Sequence, residues 1–111
     1  MSNCLFCQIA AGEVNADIVY EDEQILAIRD IYPKAPVHLL VIPRKHVDNL
    51  YDLEDDDCHL MSHIMMYLPK IAKQQGLLSG FRTITNTGAG GRQEIYHMHF
   101  HLMGGGKLPP M

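Results

Sequence analysis

The sequence predicts an α+β domain built on a largely antiparallel sheet. Three observations carry this. The stretch 55–75 repeats apolar residues at three and four positions, which is the spacing of one long helix. Five shorter stretches are β-branched or alternate at period two, as strands do. The elements follow the order helix, three strands, long helix, two strands, whereas a parallel sheet needs strands and helices in alternation.

Each element has its own local reason. Residues 4–11, Cys-Leu-Phe-Cys-Gln-Ile-Ala-Ala, read as a short helix stopped by Gly12. The segment 17–22 carries Ile18, Val19 and Tyr20 and reads as a strand. In 24–30, Leu26 and Ile28 occupy one face and Ile25 and Ala27 the other, so the strand is covered on both sides. Pro33 and Pro36 mark a loop, and 37–42 is a buried strand opened by His38 and ended by Pro43.

In the long helix the apolar stripe is Leu60, Met61, Ile64, Met65, Leu68, Ile71 and Ala72. Its first turn holds Asp55, Asp56 and Asp57, where the helix dipole favours negative charge. Gly76 stops it. Pro69 lacks a backbone donor and is expected to kink or split the helix. Residues 82–86 form a fourth strand, Thr87-Gly-Ala-Gly-Gly a turn, and 95–103 a strictly alternating fifth strand.

A chain of 111 residues fits one domain spanning 1–111. Its composition, 47% hydrophobic and 20% charged, is that of an ordinary soluble globule. No apolar run approaches the roughly 20 residues of a membrane span, and no signal segment opens the chain, so the expected compartment is the cytoplasm. A net charge of −4 argues against nucleic acid or an anionic membrane as the main partner. The unusual number is seven histidines, three of them within 97–101.

Residues 97–103 read His-Met-His-Phe-His-Leu-Met. At period two, His97, His99 and His101 share one face, spaced by roughly 6.8 Å, and Met98, Phe100 and Leu102 share the other. A single histidine on a strand is commonly an ordinary core or surface residue. Three in register suit either metal binding or phosphate chemistry near neutral pH, where imidazole can act as nucleophile and its neighbours as hydrogen-bond donors. Cys4-x-x-Cys7 in a reducing compartment reads as a metal ligand pair, a redox pair or two buried thiols.

The alternating His-Met-His-Phe-His-Leu-Met run is the pattern of the histidine triad family. The match extends to Cys4-Leu-Phe-Cys-Gln-Ile, Ile18-Val-Tyr-Glu, Arg29-Asp-Ile, the run from Pro33 to His46 (Pro-Lys-Ala-Pro-Val-His-Leu-Leu-Val-Ile-Pro-Arg-Lys-His), and Gly91-Arg-Gln-Glu-Ile-Tyr. Over about residues 4–106 the chain resembles the Hint branch of that family, in bacterial form. The resemblance implies a five-stranded antiparallel sheet with one long and one short helix, continued across a homodimer. It also implies a purine mononucleotide site and hydrolysis of nucleoside 5′-phosphoramidates and acyl-nucleotides, of AMP-amine and AMP-lysine type.

Carried over by position, the resemblance makes His99 the nucleophile at the α-phosphorus. His101 becomes the phosphate contact and proton donor, and His38 the residue that orients the pair. Asn86 and the Gln93 region line the phosphate pocket. Asp30 accepts the ribose hydroxyls, and Leu5, Phe6, Ile9, Ile28, Ile31 and Leu40 form the base slot. Histidine at 101, where the transferase branch carries glutamine, favours hydrolysis. Glu94 stands where animal members usually carry serine, and a carboxylate there repels phosphate unless it is turned away or bound to a cationic leaving group. The chain also ends without the tryptophan-containing tail of the animal proteins. Bacterial members that resemble this one bind zinc through Cys4, Cys7, His46 and His97.

Two alternatives are a dinucleoside polyphosphate hydrolase, whose extra loops this length does not hold, and a nucleotide-sensing interaction module with vestigial turnover. The glycine clusters read as turns, because Gly104-Gly-Gly-Lys107 is followed by leucine and no P-loop is present. His59 and His63, with Cys58, read as surface residues of the long helix, and its methionines as core packing.

Overall fold

The computed structural model describes residues 3–111. Five strands form one sheet in the order β1-β2-β3-β5-β4, with every neighbouring pair antiparallel. They are β1 (Ile18–Glu21), β2 (Ile25–Arg29), β3 (Val37–Pro43), β4 (Arg82–Ile84) and β5 (Phe100–Gly104), with α1 (Leu5–Ala10) and α2 (Cys58–Gln74). This is the α+β antiparallel architecture expected, with the element order as read.

The two faces of the sheet carry different cores. Ile25 and Ala27 of β2, Leu39 and Val41 of β3, and Phe100 and Leu102 of β5 pack against Ile64, Leu68, Ile71 and Ala72 of α2. Each large side chain fully buried here is worth roughly 1.5–3 kcal/mol. The alternate residues, Leu26, Ile28, Leu40 and Ile42, face α1 and pack on Phe6 and Ile9. Period two thus delivers one strand set to two covers. His38 belongs to the α1 face by the same alternation, and the register places His101 beside Leu40 on one side and Ile84 on the other.

Four expectations change. The long helix is not split at Pro69: α2 runs unbroken from Cys58 to Gln74, after a separate 3-10 turn at Asp55–Asp57. Only one intrahelical donor is lost at that point, and the packed apolar stripe holds the turns on either side. Met65, counted in that stripe, is exposed. The expected end of α2 is present, with Gly76 at φ 81° and Leu77 N–H donating to Ala72 C=O at 3.0 Å.

The fifth strand is shorter than its alternation. Pairing with β3 begins only at Phe100, opposite Val41, so His97 and His99 precede the ladder. The cause is the end of β3. Pro43 has no N–H to offer, and the chain beyond it takes other partners: Met98 N–H donates to Val47 C=O at 2.7 Å and His97 Nε2–H to Pro43 C=O at 2.7 Å.

His63 also departs from the solvent position expected of it. Its Nε2 donates to Asp22 Oδ2 at 2.7 Å and its ring stacks on Tyr67 at 4.2 Å. Asp22 further accepts from Tyr20 Oη at 2.6 Å, Gln24 N–H at 2.7 Å and Ile25 N–H at 2.9 Å. Burial raises the proton affinity of this carboxyl, but the bonds from Tyr20, Gln24, His63 and Ile25 outweigh it and hold the group well below the usual carboxylate range. Asp22 thereby ties the β1–β2 turn to α2. Asp22→Ala is expected to lower the free energy of unfolding by about 2–4 kcal/mol, because it orphans these donors at once; urea titration measures it, and a loss under about 0.5 kcal/mol would show that the clamp contributes nothing.

Candidate active site and metal cluster

A cavity of about 680 Å³ opens on the α1 face of the sheet. Its apolar wall is Leu5, Phe6 and Ile9 from α1, Ile28 from β2, Leu40 from β3 and Ile31 from the loop that follows β2. Asp30, His38, Asn86, Glu94, His99 and His101 also reach it. Of the residues expected around a nucleotide, Gln93 alone is elsewhere. It is buried, with Nε2 donating to Asp48 C=O at 2.6 Å and Ile95 C=O at 3.0 Å, while Oε1 accepts from Asn49 Nδ2 at 3.1 Å and Gly88 N–H at 2.9 Å. An amide with its hydrogen bonds committed this way shapes the loop from inside and does not face the cavity.

Fixed protons assign the imidazole tautomers. The backbone N–H of Lys34 donates to His38 Nδ1 at 3.0 Å, so the neutral ring carries its proton on Nε2. That Nε2 lies 2.9 Å from His101 Nδ1 and 3.4 Å from Asp30 Oδ2, and the shorter contact takes the proton. His101 then carries its own proton on Nε2. Burial drives the His101 pKa down to about 4, and the neighbouring His99, His38 and Lys34 add to the fall against Asp30. Burial lowers His38 as well, with Asp30 opposing and Lys34 assisting. Both rings are neutral at pH 7. Asp30 is held by Tyr32 N–H at 2.8 Å on its Oδ1.

His99 is oriented the other way. Its Nδ1–H donates to the carbonyl oxygen of His97 at 2.8 Å, and its own carbonyl accepts from Thr85 Oγ1 at 2.8 Å. Phe6 meets the ring edge-on at 5.1 Å. Nε2 keeps its lone pair and has no partner among the described residues. A bare ring nitrogen of fixed direction, next to a ring that presents N–H, is an arrangement suited to nucleophilic attack with proton transfer.

Cys4, Cys7, His46 and His97 converge behind this wall, with one ligand atom of each within 4.8 Å of every other. His97 Nε2–H is committed to Pro43 C=O, and His46 Nε2 to Asp48 Oδ1 at 2.6 Å. Both Nδ1 lone pairs therefore point inward, 3.2 Å apart. Cys4 Sγ lies 3.3 Å from His97 Nδ1, and Cys7 Sγ 3.3 Å from His46 Nδ1 and 3.5 Å from His97 Nδ1. Two facing lone pairs repel without a cation between them. In a tetrahedral zinc site, bond lengths of about 2.0–2.3 Å set donors roughly 3.3–3.8 Å apart, so this set fits that ion. Burial holds the His97 pKa down, which keeps Nδ1 free of a proton.

Sequence reasoning missed several cavity residues. Lys34, Arg92, Ile84, Ile95 and Met103 reach the wall from loops and strands far apart in the chain. Arg92 alone carried a signal, as the one charged residue closing a glycine-rich turn.

A protein-family model described as scavenger mRNA decapping enzyme C-terminal binding matches residues 3–107. Protein HitA of Neisseria gonorrhoeae is 48% identical over 104 residues, covering 94% of this chain and 97% of that protein. A crystal structure of a HIT family hydrolase from Legionella pneumophila is 49% identical, with a TM-score of 0.93 over 96% of each chain. A histidine triad protein from Clostridium difficile superposes with a TM-score of 0.94 at 46% identity, over 100% of this chain and 97% of that one.

The neutral histidines impose a pH dependence. The unfolded chain takes up protons near pH 6.5, whereas folded His101 resists protonation until about pH 4. Stability is expected to be full above 6.5 and to fall on acidification through that window. His101→Asn should make the fall shallower. Thermal unfolding between pH 7.5 and 4.5 measures both, and equal slopes in the two proteins would refute the assignment.

Proposed function

The chain belongs to the histidine triad family, and from that premise we propose that it is a nucleotide hydrolase that cleaves purine nucleoside 5′-phosphoramidates and acyl-nucleotides, as the Hint branch does. The observation that carries this reading is the His99 imidazole, with its Nδ1–H anchored on the His97 carbonyl and its Nε2 lone pair at the cavity.

The purine lies in the slot of Leu5, Phe6, Ile9, Ile28, Ile31 and Leu40, and Asp30 accepts the ribose hydroxyls with the lone pairs left by Tyr32. His99 Nε2 attacks the α-phosphorus, the P–N bond breaks, and the electron pair leaves on the amine nitrogen. His101 Nε2–H supplies the proton that an amine needs to depart. Burial keeps this ring neutral when the cavity holds no anion. A phosphate beside it raises its proton affinity, so the acid form arrives with the substrate. His38 holds the His101 tautomer, and Asn86 steadies the phosphate loop through Nδ2–H to Gly91 C=O at 2.8 Å. Water then attacks the nucleotidyl-histidine, giving its proton to His101 and releasing the nucleoside monophosphate. Glu94, on the cavity wall, favours a cationic or amine leaving group over a second phosphate.

Zinc held by Cys4, Cys7, His46 and His97 would serve structure, since four protein ligands leave no open position for chemistry. It would fix the Cys4 end of α1 and the backbone that carries the His97 carbonyl. A second copy of the chain would join its sheet to this one; β4 is an edge strand three residues long, with Leu78 and Phe81 exposed beside it.

His99→Ala is expected to reduce turnover of an AMP-amine substrate on the order of a thousandfold or more while AMP still binds. Substantial activity in that variant would overturn the assignment of the nucleophile. Metal analysis of protein prepared without a histidine tag should find one zinc per chain, and less than about half an equivalent would count against the metal site.

A further inference from the structure

Arg92 is the single non-glycine residue with a left-handed backbone among those described, at φ 63° and ψ 34°. It closes the 3-10 turn Ala89–Gly91, yet Gly90 and Gly91 within that turn are not left-handed. The conformation glycine adopts without strain therefore falls on arginine, with glycines standing immediately before it. The backbone gains nothing from arginine there. What the position gains is a side chain, and that side chain lines the cavity.

The surrounding charges say what it meets. Arg29 on the same cavity is held by Asp17 at 3.0 Å. Lys34 lies on the loop beside His38. The Arg92 guanidinium has no hydrogen bond or ion pair with the described residues, and Glu94 stands two residues on. Arg92 and Glu94 share the loop between β4 and β5, whereas the apolar base slot is built mainly from α1, β2 and β3. His99 lines the same cavity as this charged loop, so a nucleotide with its base in that slot and its phosphorus at His99 would leave the loop for its leaving group.

We propose that Arg92 binds a carboxylate on the leaving group, so that the preferred substrates are nucleoside 5′-phosphoramidates of amino acids rather than of uncharged amines. The inference rests on the phosphoramidate reading and deepens it. A planar guanidinium meets a carboxylate through two parallel N–H donors. A second phosphate would bring a larger negative charge against Glu94, whereas an amino acid sets its nitrogen near the phosphorus and Glu94 and its single carboxylate on Arg92.

The test uses two matched probes, the adenosine 5′-phosphoramidates of alanine and of alaninamide, which differ only in the carboxylate. The wild-type protein should favour the alanine conjugate by about tenfold in kcat/KM. Arg92→Gly should abolish that ratio with an unchanged or higher thermal midpoint, because glycine relieves the left-handed strain. Arg92→Lys should retain part of it, keeping the charge and losing the fork. Equal rates on the two conjugates, or a ratio that survives Arg92→Gly, overturn the role of Arg92 and leave the phosphoramidate reading standing. Hydrolysis of neither conjugate overturns both.

Discussion

The period-two alternation of residues 97–103 governs the rest of the molecule. It sends Met98, Phe100 and Leu102 into the core under α2 and turns His97, His99 and His101 toward α1. A slip of one residue would bury three imidazoles against Ile64 and Leu68 and expose the core. The register that stabilises the sheet and the register that presents the histidines are thus the same, and the burial energy of the apolar face enforces the geometry of the polar one.

Three histidines at equal spacing nevertheless end in three different states. The partners of each ring decide this. His97 gives its Nε2–H to Pro43 and turns Nδ1 to the sulfurs. His99 gives its Nδ1–H to the His97 carbonyl and keeps Nε2 bare. His101 accepts from His38 and presents N–H. Carbonyls and a backbone amide fix which nitrogen of each ring carries the proton, and burial keeps His38, His97 and His101 below their ordinary pKa. The cavity would therefore offer an anion hydrogen-bond donors although the chain carries a net charge of −4. Its donors are local and oriented, and long-range attraction is not required.

Helix α1 links the two clusters. Cys4 caps it, with Cys7 N–H donating to Cys4 Sγ at 3.4 Å, and Phe6 on the same turn packs edge-on against both His97 and His99. Leu5, Phe6 and Ile9 then form one side of the cavity. A helix of six residues has little stability of its own. Whatever pins its N-terminus also places the apolar slot, because the cluster of Cys4, Cys7, His46 and His97 and the cavity stand back to back on this helix.

How much of this the sequence determined follows from the range of the interactions. Period and composition are local, so the five strands, both helices and the common face of the histidines were legible from residue order. The apolar slot of Leu5, Phe6, Ile9, Ile28, Ile31 and Leu40 was implied by family likeness, since its residues come from separate elements. The convergence of Cys4, Cys7, His46 and His97 was implied by family likeness, because spacing alone left the cysteine pair ambiguous. Tertiary structure decided the remainder, wherever two distant segments compete for one group. Pro43 stops the ladder before His99, so the last strand is shorter than its alternation. Gln93 turns inward because Asp48, Asn49, Gly88 and Ile95 satisfy it. Asp22 draws His63 out of solvent. Arg92 takes the left-handed turn although glycines precede it. Hydrogen-bond partners brought together from far along the chain carry no period, and only the folded chain reveals them.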